Sequence, residues 1–145
     1  MPAVRCEAAR KKNIHRVSGN ASPGRLGNMK NSATETFNRY LTAFSEGPAG
    51  IESAAALLDD AFHFDGPMLQ AETKREFLQG LQAMGAMQPS FKMLRQFADG
   101  DHVCSVYEFS AGGPAVVMAD WAEIKAGKIV RQKLIYDSVK MKPPQ

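Results

Sequence analysis

Residues 91–138, FKMLRQFADGDHVCSVYEFSAGGPAVVMADWAEIKAGKIVRQKLIYDS, decide the fold. Apolar and polar side chains alternate through four runs, 91–98, 102–110, 115–125 and 128–138. The breaks between them are Asp99-Gly100-Asp101, Ala111-Gly112-Gly113-Pro114 and Ala126-Gly127. Turns that short return each strand beside its predecessor, so the block reads as a four-stranded antiparallel meander.

Upstream the period changes from two to 3.6. Ser32-x-x-Glu35 is a capping box, and Phe37, Tyr40, Leu41 and Phe44 follow on one helical stripe until Gly47-Pro48. Ile51 to Leu58 reads as a shorter helix. Asp59-Asp60 reads as a turn into a short strand, Ala61-Phe62-His63-Phe64-Asp65, which Gly66-Pro67 ends. Thr73-x-x-Glu76 caps a third helix carrying Phe77, Leu78, Leu81 and Met84. Helices gathered before a run of strands give an α+β domain. Three N-terminal helices should pack on a cone-shaped, curved antiparallel sheet made of the meander plus a short strand.

The chain has 145 residues, enough for one ordinary domain, with a net charge of +3 and a pI near 9.0. That basic balance is local. Residues 1–30 hold seven basic groups and one acid, whereas residues 31–145 hold eleven basic groups and fourteen acids. Residues 1–30 lack periodicity and carry Gly19, Pro23, Gly24 and Gly27, so we expect a disordered basic tail, with Met29 a possible start of the folded protein. The domain is expected over 31–140 and a flexible C-terminus over 141–145. Charge confined to a tail argues against a nucleic-acid partner. No apolar run is long enough for a membrane helix, and no apolar segment follows the N-terminal charges as in a secretory signal. Cys6 and Cys104 form neither a disulfide framework nor a zinc pattern, so a reducing, cytoplasmic setting is expected. Without a glycine-rich phosphate loop or metal-ligand spacing, neither cofactor nor metal is expected.

Along 116–124 one face carries Val116, Met118, Asp120, Ala122 and Ile124, so a carboxylate shares a face with four apolar side chains. Desolvation favours the neutral form of such an acid, which can then donate a hydrogen bond. The other faces are also apolar: Trp121 with Val117 and Ala119, and Tyr107 with Val103 and Phe109. A sheet apolar on both sides must be covered twice. One set of helices covers one side, so a homodimer is expected.

The order of elements, with Asn38-Arg39-Tyr40-Leu41, Leu58-Asp59-Asp60-Ala61 and Gly127-Lys128-Ile129-Val130, resembles the nuclear transport factor 2-like superfamily. The Gly-Lys turn and the segment before Tyr136-Asp137 look most like its SnoaL-like branch. Against ketosteroid isomerase the resemblance implies Asp65 as general base, with Tyr40 and Asp120 as hydrogen-bond donors to a developing enolate. Here Gly66 intervenes between Asp65 and Pro67. His63 alternates onto the side of Asp65 and is the alternative base, as in a dehydratase or cyclase. The Arg and Asp two apart that epoxide hydrolases of this superfamily use do not occur. Phe37, Phe62, Met84 and Met118 are the candidate ligand-binding side chains. The resemblance implies an apolar pocket for a small carbonyl compound. It serves either a cofactor-independent isomerase or cyclase, or a noncatalytic ligand-binding or dimerisation module.

Overall fold

The aromatic stripe of the first helix and the alternation of the last four strands find each other across one core. The computed structural model describes residues 23–85 and 87–141. Helix α1 spans Pro23–Ser45, so it begins upstream of Ser32 and not at it. Proline suits a first helical position, where its missing N–H costs nothing. The Ser32–Glu35 pair therefore lies inside the helix, and Thr36 Oγ1 donates back to the Ser32 carbonyl. Residues 23–30, expected in the tail, are helical; the rest of that tail and residues 142–145 lie outside the described residues.

Gly47, at a positive φ of 71°, ends α1 and leads into a 3₁₀ turn, Gly47–Gly50, and helix α2, Ile51–Ala55. Any Cβ on Gly50 would run into the Ala43 carbonyl oxygen, so α1 and the turn pack backbone to side-chain-free backbone there. Strand β1, Leu58–Asp65, takes in the two aspartates that read as a turn. Their turn chemistry survives as an irregularity: Asp59 Oδ1 accepts from the Ala61 N–H, and the β1 register shifts between Leu58 and His63. Strand β2 is only Gln70–Ala71. Helix α3, Lys74–Ala83, is capped by Thr73, whose hydroxyl accepts from the Glu76 N–H, while the Glu76 carboxylate accepts from the Glu72 N–H.

Strands β3 (Ser90–Asp99), β4 (His102–Ser110), β5 (Val116–Lys125) and β6 (Lys128–Ile135) form the expected meander. Ala126 and Gly127 both have positive φ, the geometry a tight two-residue hairpin demands. The curved, unclosed sheet runs β2-β1-β6-β5-β4-β3, antiparallel except where β1 lies parallel to β6. A final 3₁₀ turn, Ser138–Met141, follows β6. The fold is thus the expected α+β cone with one more short strand, with α1 and α3 packed on the sheet and α2 packed on α1.

Register corrects one expectation. Tyr107 pairs with Met118 and Val103 with Ala122, so Tyr107 and Val103 share the face of Asp120 and are buried. Alternation sorts a strand into two faces, but the pairing across the turn decides which faces join. The outer face instead carries Val117, Trp121, Phe97 and Ile135, which are 55%, 40%, 63% and 56% exposed.

Candidate functional site

Phe37, Tyr40 and Leu41 enter the core because the stripe of α1 faces the sheet. Aromatic contacts then tie the elements into a wall. Phe44 meets Tyr40 edge-on at 4.8 Å and Phe77 of α3 at 6.3 Å, and Phe77 meets Phe64 of β1 at 4.8 Å. Between α1, α3 and the concave sheet face lies a cavity of about 600 Å³. Leu41, Phe44, Leu81, Met118 and Leu134 are among its apolar walls, and none of its described lining residues is an acid, lysine, arginine or histidine.

Polar groups enter at the floor. Tyr40 of α1, Tyr107 of β4 and Gln132 of β6 all line the cavity, and all three connect to one acid behind it. The Tyr107 hydroxyl donates to Asp120 Oδ2 at 2.6 Å, and Gln132 Nε2 donates to the same oxygen at 2.8 Å. The Tyr40 hydroxyl donates to Gln132 Oε1 at 2.8 Å. Asp120 is fully buried on β5, and its Oδ1 has no hydrogen-bond partner. Burial pushes its carboxyl up to about 7, with the bonds from Tyr107 and Gln132 pulling the other way. Tyr40 and Tyr107 are held well above the usual tyrosine range, by burial first and then by the Asp120 charge. A buried acid poised near neutrality, linked to the floor through two tyrosines and an amide, can take up or release a proton.

The structure brings together Tyr40 and Asp120 but not Asp65. Phe62 and Phe64 point inward from β1, which turns His63 and Asp65 to the other side of the sheet. Asp65 Oδ2 accepts from Lys133 Nζ at 2.9 Å, and that bond and charge hold its carboxyl below the usual range. A lowered pKa weakens a base, and neither Asp65 nor His63 reaches the cavity. Met84 and Met118 line the cavity as expected, whereas Phe37 and Phe62 are wholly buried behind its walls. Tyr107, expected on the outer face, and Gln132, for which no role was expected, complete the network. Gln132 carried a usable signal: it is the uncharged polar residue between outward Arg131 and Lys133, at an inward position. No group of three or more histidine, cysteine or acidic side chains among the described residues is placed to hold a metal ion.

The profile of the SnoaL-like domain matches residues 37–132, which include every member of this network. The chain belongs to the SnoaL-like domain family. Solved structures agree in fold. A protein of Shewanella putrefaciens assigned as a SnoaL-like polyketide cyclase superposes with a TM-score of 0.68 at 12% identity, covering 81% of this chain and 86% of that one. An NTF2-like protein of unknown function from Cytophaga hutchinsonii gives 0.66 at 17% identity, covering 75% and 93%. An epoxide hydrolase of M. tuberculosis gives 0.65 at 19% identity, covering 77% and 87%. No curated protein matches the SnoaL-like chain in sequence.

Proposed function

We propose that this SnoaL-like protein binds a small apolar molecule in the concave cavity and exchanges a proton with it through Tyr107 and Asp120. One observation carries the reading: among the described residues, Asp120 is the buried acid, directly behind the cavity floor and hydrogen-bonded to two floor residues. A proton leaving a ligand carbon adjacent to a carbonyl enters a lone pair of the Tyr107 oxygen, and the proton Tyr107 held passes to Asp120 Oδ2. Return at another carbon reverses those transfers, which is isomerisation; attack of the enolate within the ligand is cyclisation. Either reaction uses protein groups alone.

Deuterium exchange into the α-carbon of 2-tetralone in D₂O tests this. Asp120→Asn should slow protein-dependent exchange about 100-fold or more. An unchanged rate would remove Asp120 from the chemistry.

The second reading, a noncatalytic ligand-binding module, has an observation of its own. Asp120 lies behind the cavity floor and does not line it, so a ligand touches it only through Tyr107 or Gln132. Binding of 2-tetralone with no exchange above the solvent rate favours that module.

A second copy of the chain is the partner we assign to the outer sheet face, where Phe97, Val117, Trp121 and Ile135 lie exposed beside one another's strands. Light scattering should give a dimer that Val117→Glu dissociates. A wild-type monomer at micromolar concentration excludes it.

A further inference from the structure

Helix α3 is ten residues long and carries a glycine, Gly80, in its interior. Its backbone conformation does not require one. The described glycines at positive φ are Gly47, Gly85, Gly100, Gly112 and Gly127, and Gly80 is not among them. A glycine inside a helix costs about 1 kcal/mol against alanine, and so short a helix has little propensity to spare. What Gly80 supplies is room. A Cβ there would run into Leu69 Cδ1 and stand 3.2 Å from Leu69 Cδ2. Leu69 lines the cavity, and the tip of its side chain lies against the bare backbone of α3.

The backbones on both sides of that contact are held. Leu69 ends the tight turn joining β1 to β2: its carbonyl accepts from the Gly66 N–H at 2.9 Å, and the next residue, Gln70, pairs with Asp65. Helix α3 is anchored by buried Phe77, whose ring meets Phe62 at 5.1 Å and Phe64 at 4.8 Å. A methyl group at position 80 is therefore accommodated by swinging the Leu69 side chain. The apolar space that side chain borders is the cavity, walled by Phe64 of β1 and by Leu78 and Leu81 of α3. Swinging the other way would put an isobutyl group in water.

We infer that Gly80 sets the breadth of ligand this cavity accepts. By leaving a seat in α3 it lets Leu69 lie back, and Leu69 in that seat keeps the cavity wide where the β1–β2 turn meets the helix. Gly80 does not itself line the cavity, so it is a positioning residue that acts through Leu69. The inference rests on the ligand-binding half of the proposed function, and not on turnover or on the protonation of Asp120.

Two ketones that share an acetyl group and differ in breadth, 2-acetylnaphthalene and 1-acetylpyrene, test this by fluorescence titration. In Gly80→Ala the broad ketone should bind about tenfold more weakly, the effect of one methylene misplaced in an apolar pocket, and the narrow one within about twofold of wild type. Adding Leu69→Ala to Gly80→Ala should restore binding of the broad ketone. Where Gly80→Ala does not fold, Leu69→Phe makes the same test, because its ring overfills the same seat and should cause the same selective loss. Equal losses for both ketones would make Gly80 a stability residue only and overturn the inference. Wild-type affinity of Gly80→Ala for 1-acetylpyrene would overturn it too, since Leu69 would then swing to solvent, as would a loss that persists without the Leu69 side chain. Wild type that takes 2-acetylnaphthalene and refuses 1-acetylpyrene likewise overturns it. Each of these results leaves the ligand-binding reading standing. If wild type binds neither ketone, that reading falls and the inference falls with it.

Discussion

Asp120 and Asp65 are the same side chain on opposite faces of one sheet, and their surroundings give them opposite chemistry. On the outer face Asp65 meets water, Gln70 and the Lys133 ammonium, and its carboxyl is held below the usual range. On the concave face Asp120 meets only hydroxyl and amide donors, has one oxygen with no partner, and rises to about 7. Two good hydrogen bonds do not replace the solvation a buried charge loses when no cation stands beside it. Neutral donors lower a carboxyl less than burial raises it, so an acid becomes a base of useful strength by being buried among them. An ion pair at the surface removes that usefulness.

The largest expected effect breaks the comparison at Asp120. Its carboxyl titrates near 7 when folded and near 3.8 when unfolded. Between those values the native chain keeps a proton the unfolded chain has released, so raising the pH favours unfolding. The loss begins above about pH 4, is complete above about pH 7 and amounts to about 4 kcal/mol. Asp120→Asn lacks this group. Denaturant titrations should show wild type losing that much stability relative to the variant between about pH 4 and pH 8. Parallel curves across the range would mean that Asp120 is ionised throughout.

How far the sequence reached is clearest from these same two residues. Asp120 was legible because Val116, Met118, Ala122 and Ile124 share its parity, and a run of five inward positions leaves little choice of face. Tyr40 was legible from the helical stripe for the same reason. Tyr107 was misplaced because its own strand is apolar on both sides, and only pairing with Met118 shows which side is inner. The parity of β1 also pointed Asp65 outward once Phe62 and Phe64 faced in; resemblance to an isomerase argued the other way, and packing decided. Strand β2 has two residues and pairs only with β1, so no periodicity could reveal it.

A smaller effect sharpens the account of Asp120. Tyr107→Phe removes the shorter of its two hydrogen bonds, 2.6 Å against 2.8 Å, and leaves the ring packing in place. The Tyr107 bond holds the carboxyl down, so its loss moves the titration midpoint further up, observable in the ¹³C shift of the Asp120 carboxyl. Where Asp120 is charged the variant should lose about 1–3 kcal/mol of stability, and less where it is neutral. A midpoint that stays put would place the control of Asp120 in Gln132 alone.

The smallest expected effect lies on the other face, and its smallness is informative. Asp65→Asn breaks an ion pair whose partners, Lys133 and Asp65, both have side chains more than a third exposed. Water replaces the ammonium at little cost, because the Coulomb energy of an exposed pair is weak and holding two side chains together costs entropy. The melting temperature should therefore stay within measurement error of wild type at neutral pH. Exchange of deuterium into 2-tetralone should be equally unaffected, since Asp65 faces away from the cavity. A large loss of exchange in Asp65→Asn with an unchanged melting temperature would put the chemistry on the outer face, and the concave network would then be packing.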